Sequence, residues 1–195
     1  MEGYERIILA SGSPRRRELL AQIGIKTEVI PSWADENTDI ADPEKRVEEL
    51  ARRKCVDVAR DLPSGIFLGA DTVVSIDGVI LGKPADTEEA KEMLRKLSGK
   101  THQVYTGVAL MQKAAGDVIR KAVFSEKTDV TVAELDEYDI EEYVATGEPM
   151  DKAGAYGIQG SFAKFVKRID GEYSNVVGLP LAAVYARLKK VRDKK

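Results

Sequence analysis

The chain is poor in the side chains on which many catalytic and metal centres are built. Its 195 residues include one cysteine, one histidine and one tryptophan, and aromatics make up only 6%. A lone Cys55 excludes an internal disulfide, and a lone His102 excludes a histidine-rich zinc site, so any metal would have to be held by oxygen ligands. A Ser-His-Asp or Cys-His centre would have to recruit His102, which falls in a strand-like stretch, 102–111, and reads better as a strand-edge or surface residue. Cys55 falls in a helical stretch and reads as a small packing residue. Long apolar runs are missing as well. The opening MEGYERIILASGSP offers four apolar residues in a row, too few for a signal-peptide core or a membrane span. A cytoplasmic protein without a membrane partner is therefore expected. Nor does one sign of charge prevail: 30 Lys and Arg against 33 Asp and Glu leave a net charge of −3. The cations are scattered, so no footprint for a nucleic-acid polymer is visible. Walker and dinucleotide-binding fingerprints are absent too.

What the sequence does contain is an ordinary globular composition, 43% hydrophobic and 32% charged. That is enough to bury a core in one domain, 1–195. Residues 7–10 read as a short buried strand that turns through Ser11-Gly12-Ser13 into a helix, with Ser13 as N-cap, Pro14 at the first helical position and Gly24 at the end. A strand over 26–30 and a polar, irregular segment over 31–41 follow. Asp42-Pro43 opens a second helix, on which Val47, Leu50, Ala51 and Val58 share one face with Lys54. Residues 66–76 read as a strand interrupted by Asp71 and Thr72, and Asp77-Gly78 as a hairpin turn that would set Lys83 across from Thr72.

Beyond the hairpin, a helix over 87–98 ends at Gly99. Two long strands, 102–112 and 118–132, join at a Gly116-Asp117 turn, and a helix over 136–146 leads into a glycine-rich loop, 154–160. A strand over 162–169, a turn at Asp170-Gly171 and a helix opened by Pro180, with Leu181, Val184, Tyr185 and Leu188 inward, complete the chain before a solvated Lys-rich tail. Alternating strands and helices, followed by hairpins, predict an α/β fold with a mixed sheet and helices packed against it.

Several positions carry chemistry. Between strand and helix, Ser11-Gly12-Ser13-Pro14-Arg15-Arg16 reads either as a phosphate cradle, with backbone N–H groups and two guanidiniums at a helix N-terminus, or as an ordinary capped helix with solvent-facing arginines. Asp71 breaks an apolar run, Leu68-Gly69-Ala70-Asp71-Thr72-Val73-Val74. It should meet a metal or a cation, or open onto a cleft, unless the strand simply leaves the core there. Lys54 and Lys83 suggest a cationic site, although lysine stems also pack against apolar surface. Asp35-Glu36 could supply ligands to a hard divalent ion or be solvated. The 154–160 loop combines close-approach glycines with Tyr156 and Gln159, as a segment lying against a planar base would.

Four blocks, Leu9-Ala10-Ser11-Gly12-Ser13-Pro14-Arg15-Arg16, Gly69-Ala70-Asp71-Thr72-Val73, Gly82-Lys83-Pro84 and Asp151-Lys152-Ala153-Gly154-Ala155-Tyr156-Gly157-Ile158-Gln159-Gly160, together with the closing Val177-Gly178-Leu179-Pro180, resemble the Maf family over nearly the whole chain. The resemblance implies an inosine triphosphatase-like fold, an elongated mixed sheet flanked by helices with two lobes around a central cleft. It also implies pyrophosphohydrolysis of a nucleoside triphosphate, and a homodimer. Carried onto this sequence, Asp71 is the general base, supported by Lys54 and Lys83. Arg15, Thr72 and Gln159 set specificity and point to dTTP and UTP. Beside these roles, the strand-to-helix turn makes Ser11, Gly12, Ser13, Arg15 and Arg16 the expected phosphate-binding residues, and a Mg²⁺ or Mn²⁺ ion held by Glu36 and Asp71, directly or through water, is expected with them. Two rival readings remain beside this one: a hydrolase of the same fold acting on non-canonical purine triphosphates, and a nucleotide-sensing regulator of septum formation whose hydrolysis is incidental.

Overall fold

The computed structural model describes residues 6–192. The end of the expected Lys-rich tail, 193–195, lies outside them. In chain order the elements are β1 (Ile7–Leu9), α1 (Pro14–Gln22), β2 (Glu28–Val29), α2 (Pro43–Arg60), β3 (Gly65–Ile76), β4 (Val79–Leu81), α3 (Thr87–Leu97), β5 (Thr101–Ala114), β6 (Asp117–Val132), α4 (Glu137–Ala145), β7 (Val166–Asp170), α5 (Tyr173–Val177) and α6 (Leu181–Arg192). Among the described residues the strands form one seven-stranded sheet in the order β2-β1-β3-β5-β6-β7, with β4 paired to β3. β1 runs parallel to β2 and β3, whereas β4 on β3 and β7 on β6 are antiparallel. The sheet is therefore mixed and helix-flanked, as the alternation of elements predicts.

The described residues gather into two compact units. The first takes the chain up to Asp71, Thr106–Glu126 and the stretch from Gly178 onward; the second takes Thr72–Tyr105 and Lys127–Val177. In the first, the apolar face read for α2 is buried as expected, with Val47, Leu50, Ala51, Cys55 and Val58 inward. Two glycines let this helix lie directly on the strands. A Cβ on Gly69 of β3 would strike the Ala51 carbonyl and Cys55, and one on Gly107 of β5 would strike the Val47 backbone. The Cys55 thiol reaches the Phe67 carbonyl at 3.5 Å, and burial pushes its pKa up to about 12, so it is the inert packing residue the sequence suggests.

In the second unit, α4 begins with a capping box between Asp136 and Asp139. Beneath it lies an aromatic cluster in which Tyr143, Tyr156 and Phe165 each pack against Phe162, at centroid distances of 5.0, 4.8 and 5.4 Å. This cluster explains one departure from the sequence reading. Residues Ser161–Phe165 form a 3-10 turn, and the strand begins only at Val166. Phe162 and Phe165, three apart, fall on one side of such a turn, an arrangement strand periodicity would forbid.

Further corrections are local. β3 runs unbroken through Asp71 and Thr72, the charge being accommodated without leaving the ladder. β2 is two residues long rather than five. The β5–β6 turn sits at Ala115 and Gly116, with φ of 51° and 93°, one residue earlier than expected. The Asp77-Gly78 turn is where it was expected, with φ of 51° and 77°. Its ladder ends at Val74↔Leu81, so Lys83 and Thr72 lie beyond the paired residues. Tyr185 is exposed, while Val184 and Leu188, four apart, form the inward line of α6. His102 is neither at a strand edge nor on the surface: it is 0% exposed, with Nε2 2.8 Å from the Tyr156 hydroxyl.

Candidate functional site

The first unit assembles a cluster of charge from three places in the sequence. Leu9 of β1 is in register with Leu68 of β3 in a parallel pair, and the Ala10 N–H continues that pairing to the Leu68 carbonyl at 2.8 Å. Ser11-Gly12 and Asp71 therefore lie at the carboxyl end of this parallel pair, the place where open α/β sheets present ligand-binding groups. Asp71 is 7% exposed, and it meets the cation its burial demands: Lys54 Nζ is 2.7 Å from Asp71 Oδ1. The helix–strand contact at Gly69 explains the reach, because it seats Ala51 of α2 on β3 two residues before Asp71, and Lys54 lies one helical turn along from Ala51.

Lys54 is shared. Its ammonium also lies 3.1 Å from Glu36 Oε1, so two carboxylates converge on one cation. Glu36 comes from the irregular segment read as polar, which α2 holds firmly. Asp57 accepts from the Ser32 hydroxyl and the Trp33 N–H, each at 2.8 Å. Arg53 donates to the carbonyls of Asp35 and Asn37, and Arg46 to those of Thr38 and Ile40. The Asp35-Glu36 pair divides its labour: Asp35 accepts from the backbone and side-chain amides of Asn37, while Glu36 turns to Lys54.

At the β1–α1 turn, Ser13 occupies the N-cap position, but its side chain makes no cap bond. The Ser11 hydroxyl instead braces the turn, accepting from the Ser13 N–H at 3.2 Å and from Arg16 Nη1 at 3.1 Å. Arg16 Nε donates to the Gly178 carbonyl at 2.8 Å, tying the turn to the closing Val177-Gly178-Leu179-Pro180 block. Burial lowers the Arg16 pKa, and the opposing electrostatic influence comes first from Asp71, with Glu36 adding to it and Arg15 working against it. Ser11, Arg16, Glu36, Lys54 and Asp71 thus form one electrostatic group, with Arg15 beside it. No acidic residue lies in the first turn of α1. Gly12 is exposed, and a Cβ there would meet only Pro31, at ordinary contact distance.

The second unit holds the remaining candidates, Thr72, Lys83 and Gln159. The Gly154 N–H donates to the Gly82 carbonyl at 2.9 Å, joining the Gly82-Lys83-Pro84 block to the glycine-rich block. Gly154, at φ 70°, lies so close to Val74 that a Cβ would fall 2.9 Å from its side chain. Lys83 and Gln159 are exposed. Tyr156 is not available to a base: it is buried against His102 and Phe162. The sequence reading missed the carboxylate that organises this loop, Glu148, which accepts from Tyr143, from the Ser161 hydroxyl and from the Ser161 N–H.

Fold and side chains together define an α/β protein that sets a carboxylate–lysine group and an arginine-bearing turn at the carboxyl end of parallel strands, the architecture of an anion-handling site. A family model described as Maf-like protein matches residues 6–191, and the chain belongs to that family. Its relatives include a protein of Pelotomaculum thermopropionicum named dTTP/UTP pyrophosphatase, 51% identical over 187 residues that cover 95% of this chain and 96% of that one. A protein of Bacillus cytotoxicus with the same name is also 51% identical over 187 residues, covering 95% of each. Among solved structures, the Ham1 protein of Staphylococcus aureus covers 96% of this chain and 100% of its own, with a TM-score of 0.52 and 14% identity. That likeness is one of fold, a mixed sheet flanked by helices as expected. Among the described residues, no helix is long and apolar enough to cross a membrane.

Proposed function

We propose that this chain is a nucleoside triphosphate pyrophosphatase that hydrolyses dTTP and UTP to the monophosphate and pyrophosphate, removing unwanted or modified nucleotides. The observation that carries the reading is the buried Asp71 paired with a lysine that a second carboxylate shares, in electrostatic contact with Arg16. The names of its half-identical relatives support the same activity. In the proposed reaction Asp71 takes a proton from water, and the hydroxide oxygen bonds to the α-phosphorus. The bond from that phosphorus to the bridging oxygen breaks, and pyrophosphate leaves. Lys54, Arg15, Arg16 and Lys83 offset the charge that develops on the leaving group, while Ser11, Gly12 and Ser13 receive phosphate oxygens.

Thr72 and Gln159, with Arg15, are assigned to substrate selection. A Gln159 amide that pairs with the N3 and O4 edge of uracil or thymine would leave polar groups mismatched on cytosine. The donor set also fits a hard divalent ion. Glu36 and Asp71 already converge on one cation, the Lys54 ammonium. That is the pattern of Mg²⁺ or Mn²⁺ sites, in which one or two carboxylates are completed by substrate phosphates and water. Glu36 and Asp71 would hold the ion, which when bound neutralises phosphate charge. We further assign the protein to the cytoplasm and, on the family resemblance, to a homodimer. A panel of nucleoside triphosphates assayed for pyrophosphate release, with and without Mg²⁺, tests the activity. Turnover of dTTP and UTP well above CTP and purine triphosphates is expected, lost on chelation. A preference for non-canonical purines, or no release at all, would overturn the reading.

A further inference from the structure

Gln159 is the exposed residue of a short segment, beside the buried Ile158, whose two ends are fastened to the same carboxylate. On one side, the Gly157 N–H donates to the Tyr143 hydroxyl at 3.1 Å, and that hydroxyl donates to Glu148 Oε1 at 3.0 Å. On the other, Glu148 Oε2 accepts from the Ser161 N–H at 3.0 Å and from its hydroxyl at 3.1 Å. The segment is also closed on itself by the Gly160 N–H, which donates to the Gly157 carbonyl at 3.2 Å. Gly160 has negative φ, so backbone freedom does not explain its glycine. Space does: a Cβ there would run into the Glu148 carboxylate. The close approach that the sequence offers to a flat ligand is taken up, at this glycine, by the protein's own acid. Tyr143 is buried, and burial raises its pKa, so its hydroxyl keeps its proton and remains a donor.

We infer that Glu148, acting with Tyr143, is the positioning residue that fixes Gln159 for base selection. A charged acceptor holding three donors makes strong bonds, and an amide that must read one edge of a planar base has to be held to within a fraction of an ångström. Released from this clasp, the 157–161 segment samples several placements, and the Gln159 amide meets uracil and cytosine with more equal success. The inference rests on the proposed role of Gln159, and the test separates the two.

The experiment measures kcat/KM for UTP and CTP in wild type, Glu148→Ala, Gln159→Ala and the double variant, with thermal melting as a check on folding. Glu148→Ala is expected to lower the UTP-to-CTP ratio by about tenfold, mostly through KM for UTP, and to lower it no further once Gln159 is already alanine. Tyr143→Phe, which keeps the ring and removes one link, should lower the ratio by about threefold, and the same cycle run on it decides the matter should Glu148→Ala not fold. Equal losses for both nucleotides, an unchanged ratio in a folded variant, or an additive loss in the Gln159→Ala background would each overturn the inference. A wild-type enzyme that does not distinguish UTP from CTP, or a Gln159→Ala variant that still does, would instead remove the reading on which it rests.

Discussion

In the first unit the titratable groups gathered around Asp71 are charged and answered by opposite charge: Asp71 by Lys54, Lys54 by Glu36, and Arg16 by the field of both acids. In the second the buried groups are neutral and answered by one another: His102 faces Tyr156, and the Tyr143 hydroxyl bridges Gly157 to a carboxylate. The first arrangement suits phosphate, whose charge must be met by charges already in place. The second suits holding a loop in one shape, as the proposed selecting role of Gln159 requires. The contrast also gives the units different weaknesses, since an unpaired charge and a protonated buried base are costly under different conditions.

The largest effect expected from breaking the contrast is on turnover. Asp71→Asn keeps the shape and hydrogen-bonding reach of the side chain while removing the proton acceptor, so pyrophosphate release should fall by about two or more orders of magnitude. The fold should persist, because Lys54 keeps Glu36 as a partner. Turnover at the wild-type rate would sink the role given to Asp71. Next comes stability. Lys54→Met leaves Asp71 buried with its nearest cation gone, which should cost about 3 kcal/mol, or roughly 9 °C in Tm for a chain of this length. Adding Asp71→Asn to that variant should return a good part of the loss. If the double variant is as unstable as the sum of the two single ones, the pair is not the coupled unit described here.

Acid should expose the second unit. Burial pushes the His102 pKa down to about 4. The unfolded chain, with an ordinary value of about 6.5, therefore binds the extra proton between those limits. The contribution of neutral His102 is intact at neutral pH, begins to fade as pH drops below about 6.5, and is gone near 4. It amounts to roughly 3 kcal/mol. Denaturant midpoints measured across that range for wild type and His102→Gln should converge as pH falls. Parallel curves would mean that His102 is not held neutral.

Much of the first unit was legible because its chemistry lies in sequence-local signals. A strand, a small-residue turn and Pro14 announce the α1 start, and an acid inside an apolar run announces Asp71. The stripe bearing Val47, Leu50, Ala51 and Val58 placed Lys54 on the buried side of α2. The second unit was harder to read because its contacts join residues through tertiary packing. Nothing around His102 in sequence points to Tyr156, fifty-four positions away. Glu148 looks like any exposed acid before a proline, and only Gly160, whose conformation does not require glycine, hints that something presses against it. The Phe162–Phe165 spacing was a usable signal, since residues three apart share a side of a 3-10 turn and not of a strand.

The smallest expected effect sharpens the comparison at the level of the backbone. Ala115 in the first unit and Ala155 in the second both hold a left-handed conformation, at φ 51° and 58°. A side chain pays about 1 kcal/mol or more there that glycine does not, against a somewhat smaller entropic loss from the freer unfolded chain. At the exposed Ala115, beside Gly116 in a hairpin turn, the relief should prevail, so Ala115→Gly is expected to stabilise by about 0.5 kcal/mol. Ala155 is 0% exposed within the glycine-rich block, and deleting its methyl group forfeits about 0.8 kcal/mol of burial as well. Ala155→Gly should therefore destabilise slightly. Opposite signs from one substitution at two like conformations, read as Tm shifts of about 1 to 2 °C, would show that packing, and not backbone strain, separates these turns; shifts of the same sign would remove that distinction.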